Sequence, residues 1–569
     1  MKAWRINLIL LFLFLFGAVI ICRLFYIQIS KHEYWKAFAK GQQMLFSDIP
    51  ADRGEIYLRD KNGKLYPLAV NKEWPLVYIV PNEILAKEET AQKLSEILGI
   101  EKEEVLTRLD KESLYEVIKR RLSEEEVGKI KNLEISGIYF EKEKGRYYPQ
   151  IYLASQVVGF LGAEGFGQYG LEGFYDDILR GEAGFREGER SAKGFSLGFS
   201  QKLSPAEEGE DLILTIDYNI QFKAEKLLEQ AKKDLEIRGG TIIVGDPATG
   251  EILALANYPN FDPNSYKEIK DLDVFQNPAV QKMFEPGSAF KPIVMAAGLN
   301  EKKITPETTY IDSGAVKIGG HTINNFAKKT FGQRTMTEVL EKSINTGAVF
   351  AEQQVGNVLF LKYIEKFGIF ELTGVDLAGE ISSDNNELKK GYEINFATAS
   401  FGQGVEMTSL QLFRAFSAIA NKGELTKPHI VKKFISQEGE KENVPEGSRG
   451  QVISQETAFE LTKMLVSVVD KGYAQKAKIP GYYLGGKTGT AQVPWTSLGI
   501  QKSGYSDETI QSFLGFGPAF SPRFLVIIKL DNPKASTAEY SAVPMFHDLA
   551  QYIIDYYQIP PDYETESAE

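Results

Sequence analysis

The sequence of 569 residues is poor in the side chains that build disulfides and metal sites. It has a single cysteine, Cys22, so an intrachain disulfide is impossible; domains of the size this chain allows have cores large enough to do without one. Its four histidines, His32, His321, His429 and His547, are scattered, and neither an HExxH nor a CxxC motif occurs. We therefore expect no metal and no cofactor, and nothing points to a histidine-based catalytic triad.

The chain also lacks a surplus of positive charge. It has 77 acidic residues against 65 lysines and arginines, a net charge of −12. Because nucleic-acid binding depends on a basic surface that meets phosphates, nucleic acid is not expected as a partner. Aromatic residues make up 12 % of the chain, which is unlike the composition of a disordered protein.

Only one apolar run is long enough to cross a membrane. Residues 6–27 form a run of 22 positions, most of them apolar; Gly17 and Arg23 are among the exceptions. As a helix, such a run spans the roughly 30 Å of hydrocarbon in a bilayer. We assign the membrane helix to residues 6–28 and the cytoplasmic amino terminus to residues 1–5.

Two other interpretations of this run are less favoured. A cleaved signal peptide needs a small-x-small site, and the residues that follow the apolar core offer no convincing one. A lipoprotein anchor at Cys22 would need a small residue where Ile21 stands. Lys2, Arg5 and the amino terminus favour a cytoplasmic N-terminus, but basic residues also lie on the other side of the run, at Arg23, Lys31 and Lys36, so the charges alone leave the orientation open.

A charged region of mixed pattern follows, up to about residue 205. An Asn-Gly pair at 62–63 between apolar segments predicts a hairpin. Apolar spacing predicts a helix over 84–98 that ends at Gly99. A capping-box pattern starts a further helix at Ser123.

Two glycine motifs in this region lack the flanks that their chemistry requires. Residues 165–170 fit GxGxxG, but a dinucleotide site needs a buried strand before the motif, a helix after it and an acidic residue about 20 positions on. Residues 194–198 fit GxSxG, but a nucleophile elbow lies between a core strand and a helix. Charged and polar residues flank this second motif, so we predict a loop.

A polar stretch at 204–210 resembles a linker, and a new domain follows it. Strands are predicted at both ends of this domain with helices between them, which indicates an antiparallel sheet covered by helices. The last nine residues are polar and acidic and are predicted to be disordered. The predicted elements are a strand at 212–216, a helix at 218–235, a hairpin at 240–257 and strands at 482–493, 511–518 and 524–531.

The most informative motif is a serine and a lysine three positions apart, Ser288 and Lys291. Pro286 and Gly287 interrupt the chain just before them, and apolar residues at helical spacing follow. Positions i and i+3 share a helix face, so the lysine amine can reach the serine hydroxyl. A lysine of lowered pKa can remove the proton of a serine nucleophile. Burial, or a second cation such as Lys487, would lower that pKa.

A second motif, Ser-x-Asn, follows a helical stretch. Ser343 can relay a proton between Ser288 and a leaving amine, and the amide of Asn345 can bind a peptide group of the substrate. A turn is predicted at 346–347.

The third motif, Lys-Thr-Gly-Thr at Lys487, Thr488, Gly489 and Thr490, lies on a predicted strand. Gly489 and the glycines at 485–486 leave room for another backbone to approach, so an extended peptide could add along this strand. Lys487 and Thr488 could hold its carboxylate. A backbone N–H near Thr490 could form an oxyanion hole with that of Ser288.

Each motif alone is common, but the three occur in this order within one domain. This set is found in penicillin-binding proteins and class A β-lactamases, with Ile344 here in place of an aspartate. The chain resembles a class B high-molecular-weight penicillin-binding protein, a bacterial D,D-transpeptidase, although Ala289 stands where that family commonly has threonine. Further matching segments extend from the N-terminal anchor to about residue 550: 53–56, 170–172, 214–217, 252–264 and 402–404.

The resemblance implies roles for these residues. Ser288 would be the acylated nucleophile and Lys291 its base, with Ser343 and Asn345 as the second motif and 487–490 as the third. The donor would end in D-Ala-D-Ala, and β-lactams would inhibit.

The resemblance also implies the architecture and the setting. An elongated α+β pedestal would occupy 29–205 and a β-lactamase-like transpeptidase domain 206–557, with an acidic tail at 558–569. The catalytic domain would lie outside the cytoplasmic membrane. The pedestal would contact other cell-wall proteins and a SEDS-family glycan polymerase. Divisome membrane proteins would be among the partners, because the segment 472–492 resembles the division-specific branch more than the elongation-specific one.

Three alternatives remain open. A β-lactamase would use the same motifs and add a glutamate that positions a deacylating water, and no clear glutamate motif lies between Asn345 and Lys487. A D,D-carboxypeptidase would differ only in accepting water instead of an amine. A non-catalytic scaffold would be expected to lack at least one of Ser288, Lys291 and Lys487.

Overall fold

The computed structural model describes residues 3–31, 44–190, 196–444 and 450–564. They belong to two compact units. The first combines Met1–Arg53 with Arg180–Gly209, and the second combines Gly54–Leu179 with Glu210–Glu569.

The first unit begins with the predicted membrane segment. An α-helix covers Ala3–Phe25 and continues as a π-helix over Tyr26–Ser30. Its apolar part, Leu8–Ile29, has 22 residues with a mean hydropathy of 2.8, and none of it is buried. The segment is long and apolar enough to cross a membrane, which fits the predicted anchor; its sidedness stays a prediction.

A three-stranded antiparallel sheet completes the first unit. Gly184–Arg190 is the central strand, between Met44–Ile49 and Ser196–Ser204. The loop predicted at 194–198 falls partly outside the described residues. From Ser196 onward the chain forms a strand, so that prediction is wrong there.

In the second unit, a seven-stranded sheet contains the hairpin predicted at 62–63, which is confirmed. Its strands come from both sides of residue 205, because Asp211–Asp217 pairs in parallel with Ile56–Arg59. The order is Gly439–Glu442, Val431–Ser436, Asp211–Asp217, Ile56–Arg59, Leu65–Ile79 and Glu116–Lys119, and Ile138–Tyr147 also pairs with Leu65–Ile79.

Three helices build a small separate core beside this sheet. They are Lys87–Leu98, Lys102–Leu109 and Glu124–Lys131, and their apolar residues form one buried cluster with those of the strands. The first ends at Gly99, whose φ of 66° is left-handed, and the third begins with the predicted capping box at Ser123.

The GxGxxG segment has no dinucleotide-binding architecture. A hairpin of two-residue strands, Phe160–Leu161 and Gly167–Gln168, precedes a five-residue helix, Gly170–Phe174. A Rossmann site would need a long strand and helix at this point. Two short helices, Ser155–Val158 and Asp176–Arg180, flank the segment.

The predicted antiparallel sheet flanked by helices is confirmed. Its five strands run in the order Ile252–Tyr258, Gly239–Gly245, Phe524–Asp531, Tyr505–Gly517 and Gly485–Pro494, all antiparallel. The central strand is buried on both faces, which agrees with its continuous apolar run. Gly485–Pro494, which carries the third motif, lies at the edge.

Helices cover the sheet. The helix predicted at 218–235 is confirmed as Tyr218–Leu235. The helix Ala542–Tyr557 packs against the strands Tyr505–Gly517 and Phe524–Asp531. The others are Pro278–Gln281, Lys291–Asn300, Met336–Glu341, Asn345–Val355, Asn357–Lys366, Asn386–Lys389, Glu393–Ala399, Ser409–Ala420 and Gln455–Lys471. Small two-stranded ladders pair Met283–Phe284 with Met407–Thr408, Thr309–Asp312 with Gly332–Thr335, and Ala315–Ile318 with His321–Asn324.

The segment after the last helix is more ordered than predicted. Asp562 accepts a hydrogen bond from the backbone N–H of Tyr483 at 2.8 Å, and the ring of Tyr563 lies 4.9 Å from that of Tyr483. The prediction of disorder is therefore wrong for these residues, while 565–569 lie outside the described part of the chain.

Candidate active site

The three motifs meet at one cleft of about 990 Å³ beside the edge strand Gly485–Pro494. Ser288, Ser343, Asn345, Thr488 and Thr490 line it. Below it lie the other predicted site residues: Lys291 and Lys487 are fully buried, and Gly489 is buried in the strand.

A sharp bend presents Ser288, the predicted nucleophile. Gly287 has a φ of 56°, and Ser288 lies in the 3₁₀ turn Gly287–Phe290, just before the α-helix Lys291–Asn300 rather than within it. The N–H of Gly287 donates to the carbonyl of Gly402 at 3.0 Å. A Cβ on Gly402 would lie 2.1 Å from the carbonyl oxygen of Gly287, so this approach requires glycine.

The amine of Lys291 lies at the centre of the site. Its Nζ is 3.0 Å from Oγ of Ser288, 2.9 Å from Oδ1 of Asn345 and 2.6 Å from the carbonyl oxygen of Ser343. Burial, and then the charge of Lys487, lower the pKa of Lys291 well below its usual value. In its neutral form the amine has two N–H donors, which the two carbonyl-type oxygens can accept, and its lone pair is then free to face the serine hydroxyl.

The second lysine shares a partner with the first. Nζ of Lys487 donates to Oγ of Ser343 at 3.0 Å and to the carbonyl and hydroxyl oxygens of Thr488 at 3.0 and 3.2 Å. Burial lowers its pKa to about 7. Because Nζ of Lys291 also lies 3.3 Å from the same Oγ, the Ser343 hydroxyl bridges the two amines.

The backbone of the second motif differs from the prediction at 346–347. Ser343 has a φ of 53°, in the left-handed region, and the helix Asn345–Val355 begins only two residues later. Thr346 and Gly347 thus belong to the first turn of that helix, and the predicted turn is wrong. Glycine is needed at 347 for packing, because a Cβ there would lie 2.4 Å from Cγ2 of Val339.

A buried carboxylate that sequence analysis missed fixes the start of this helix. Asp312 accepts from the Thr346 hydroxyl at 2.6 Å, from the amide of Asn325 at 2.9 Å and from the N–H of Phe331 at 2.7 Å. Burial alone would raise the pKa of Asp312, but these bonds together hold it below its usual value. Apart from the N–H of Gly314, which also donates to Asp312, these partners are 13 to 34 residues away, so local sequence does not reveal the network.

The glycines of the third motif serve the protein's own packing. A Cβ on Gly485 or Gly486 would lie 2.6 or 2.4 Å from the ring of Phe516 or Phe513, so the prediction that these two leave room for a substrate backbone is wrong. At Gly489 a backbone does approach, but it is that of Pro286, whose oxygen would lie 2.9 Å from a Cβ.

A second missed residue, Glu285, joins three parts of the site. Its carboxyl group accepts from the N–H of Gly404 at 3.0 Å and from the hydroxyl of Tyr505 at 3.0 Å. It thereby links the segment that carries Ser288 to the loop at 402–404 and to the strand Tyr505–Gly517. Burial raises its pKa to about 7.

This geometry can transfer an acyl group without histidine or metal. A serine hydroxyl faces a buried amine of lowered pKa, a second hydroxyl can pass protons on, and an edge strand borders the cleft. Within the described residues no cluster of metal-ligating side chains occurs. The fold and the site therefore fit a serine-type acyltransferase.

Comparisons with known proteins identify the family. The family model "Penicillin binding protein transpeptidase domain" matches residues 240–551, and "Penicillin-binding Protein dimerisation domain" matches 48–214. The chain belongs to the penicillin-binding protein transpeptidase family. The predicted enzyme class, a serine-type D,D-transpeptidase, and the predicted order of a pedestal and a transpeptidase domain are thereby confirmed.

Individual relatives match this chain over most of its length. "Stage V sporulation protein D" of Bacillus subtilis is 34 % identical over 93 % of this chain and 82 % of its own length. "Probable peptidoglycan D,D-transpeptidase PenA" of Neisseria meningitidis is 30 % identical over 93 % and 88 %. The solved structure of penicillin binding protein 3 from Mycobacterium tuberculosis, complexed with aztreonam, is 27 % identical and covers 91 % of this chain and 98 % of its own, with a TM-score of 0.69.

Proposed function

We propose that the protein cross-links peptidoglycan stem peptides through an acyl ester on Ser288. The observation that carries this proposal is the fully buried amine of Lys291, whose Nζ lies 3.0 Å from Oγ of Ser288 and whose pKa is lowered by burial. The substrate class, peptides of peptidoglycan, and the capacity to bind β-lactams follow from family membership.

Acylation would begin with proton transfer from Ser288 to Nζ of Lys291. Oγ attacks the carbonyl carbon of the penultimate D-alanine, the bond to the terminal D-alanine breaks, and its amine leaves with a proton. The Ser343 hydroxyl lies between the two lysine amines and can relay that proton. The amine of a second stem peptide then attacks the ester, which forms the cross-link and returns the proton to Ser288.

The third motif would hold the donor peptide. The peptide adds along the exposed edge of Gly485–Pro494, and its terminal carboxylate binds at Lys487 and Thr488. The backbone N–H groups of Ser288 and Thr490 stabilise the developing oxyanion. Asn345, which already contacts the amine of Lys291, binds a peptide group of the substrate.

The setting of the reaction is part of the same proposal. The N-terminal helix anchors the chain in the cytoplasmic membrane, with the catalytic domain at 206–557 outside and the pedestal at 29–205 between. A SEDS-family glycan polymerase and divisome proteins are the proposed partners. The division role is supported by the likeness of 472–492 to the division-specific branch and by a relative named "Peptidoglycan D,D-transpeptidase FtsI homolog", 29 % identical over 99 % of this chain.

A β-lactamase would need a glutamate that positions a deacylating water. Among the described residues that line the cleft, the one carboxylate is that of Glu539, which follows the third motif instead of lying between the second and third. This favours a long-lived ester that awaits an amine.

The test is covalent labelling of the full chain in detergent. A penicillin is added, and intact mass and peptide maps are followed over hours. We expect a long-lived adduct on Ser288, none in Ser288→Ala, and an adduct in the matched control Ser536→Ala, which removes an exposed serine of the same cleft. Rapid drug turnover would indicate a β-lactamase, and labelling that persists in Ser288→Ala would contradict the proposal.

A further inference from the structure

The cleft that contains Ser288 also carries three lysines that the proposed mechanism does not use. Lys328, Lys329 and Lys342 line it, against the single carboxylate of Glu539 among its described lining residues. Within the described part of the chain, none of the three lysines has a carboxylate at ion-pairing distance. Three lysines without an ion-pair partner in one cleft are unusual for a chain whose net charge is −12.

Two of these lysines lie on a loop with a fixed backbone. Ala327 and Lys328 both have a φ of 53°, a conformation that residues other than glycine adopt only where the surroundings impose it. The N–H of Lys328 donates to the carbonyl of Asn325 at 2.9 Å, and the carbonyl of Lys329 accepts from the Asn325 amide at 3.1 Å. Asn325 is in turn held by buried Asp312.

The same contacts connect this loop to the second motif. Oδ1 of Asn325 accepts from the N–H of Thr346, and Asn345 donates to the carbonyl of Asn324 at 3.1 Å. Lys342 directly precedes Ser343 in the chain. The backbone that carries the three lysines is therefore held beside the second motif. Nζ of Lys342 donates to the carbonyl oxygen of Lys471 at 3.4 Å, a contact that leaves its charge unneutralised.

The geometry points to an anion subsite. Lys328, Lys329 and Lys342 bind a carboxylate that a peptide substrate carries away from its reacting end, separately from the terminal carboxylate assigned to Lys487. This inference rests on the proposed function, and it names the residues that distinguish a peptide with a further carboxylate from its uncharged counterpart. Cations that line a cleft concentrate anionic substrates, and the effect weakens as salt is added.

The carboxylate could belong to the acyl donor or to the acceptor, and two arms of one experiment separate these sources. In the donor arm, kcat/KM for release of D-alanine is compared for two N-acetylated peptides ending in D-Ala-D-Ala, one with an upstream acidic residue and one with its carboxamide. In the acceptor arm, the donor is held constant and an acidic amine peptide is compared with its carboxamide. The full-length enzyme in detergent is used throughout.

The variant is Lys328→Gln with Lys329→Gln. We expect the ratio of kcat/KM for the acidic peptide to that for the carboxamide to fall about 3- to 10-fold in one arm, the range expected for two partly exposed ion pairs. The matched control is Lys303→Gln with Lys362→Gln, which removes the same charge from exposed positions outside the cleft and should keep the ratio. Lys328→Arg with Lys329→Arg, which retains both charges, should keep the wild-type ratio.

Two outcomes overturn the inference: a ratio that is the same in the double variant and the wild type in both arms, or an equal fall in the control variant. Labelling of Ser288 by saturating penicillin is measured in every variant. If the wild type is not labelled, the proposed function fails; if it is labelled but the ratios do not change, only the subsite fails.

Discussion

Removal of the charge on Lys487 should change how acylation depends on pH, because that charge helps to keep Lys291 unprotonated. Nζ of Lys291 and of Lys487 lie 3.3 and 3.0 Å from the same Oγ of Ser343. With the two nitrogens within roughly 6 Å of each other, two unit charges repel by about 3 kcal/mol at an effective dielectric constant of about 20. The Lys487→Gln variant removes this repulsion and keeps a polar side chain beside Ser343.

The expected result follows from the sign of that repulsion. Without the charge of Lys487, the pKa of Lys291 rises, and the neutral fraction of Lys291 at low pH falls by up to about 100-fold. Acylation should slow by this factor below the pKa of Lys291 and recover as the pH is raised.

The assay must separate this effect from the role of Lys487 in binding a carboxylate. Stopped-flow acylation is therefore measured with a penicillin methyl ester, which has no carboxylate, and with the parent penicillin, between about pH 5 and pH 9, a range that brackets the pKa of about 7 of Lys487. With the ester, the rising part of the pH profile should move to higher pH in the variant. An unchanged profile, or an equal slowing at all pH values, would refute the coupling between the two lysines.

Three further predictions follow from the site. Lys291→Ala should slow acylation of Ser288 by about 10²–10⁴-fold, as for a lost general base, and a wild-type rate measured by mass spectrometry would remove the lysine from the mechanism. Asp312→Ala leaves several buried donors without an acceptor and should cost about 2–4 kcal/mol, seen as a lower Tm in calorimetry; an unchanged Tm would contradict the role assigned to Asp312. Burial raises the pKa of Glu285 from 4.5 to about 7, so the folded state holds a proton that the unfolded chain releases, and stability falls as the pH rises across that interval. Denaturant unfolding of Glu285→Gln between these pH values should lack that loss, up to about 3 kcal/mol, and equal pH dependence in variant and wild type would refute it.

Local sequence patterns predicted many of the elements that build the site. The strand Phe524–Asp531 was evident because a run of apolar residues suits a strand buried on both faces. The helix Tyr218–Leu235 was predicted with its observed bounds, and in the structure Asp217 caps its start while its buried residues are mostly apolar. Predictions failed where a residue was present for another reason. Gly347 suggested a turn, but it lies in a helix, where glycine is required because a Cβ would collide with Val339.

The residues that support the catalytic groups could not be predicted in this way. Asp312, Asn325 and Thr346 are far apart in sequence and form a network only after three elements pack together. Glu285 has partners at Gly404 and Tyr505, which lie more than a hundred residues away.

The sequence by itself determined the chemical parts: a serine and a lysine at helical spacing, a Ser-x-Asn motif, a Lys-Thr-Gly strand and one apolar anchor. Side-chain identity and short-range periodicity are local properties, so they can be obtained from the sequence without the fold. Only the tertiary structure decided how far the pKa of Lys291 is lowered. Folding removes Lys291 from water and brings Lys487 close to it, and both effects depend on contacts between residues far apart in the chain.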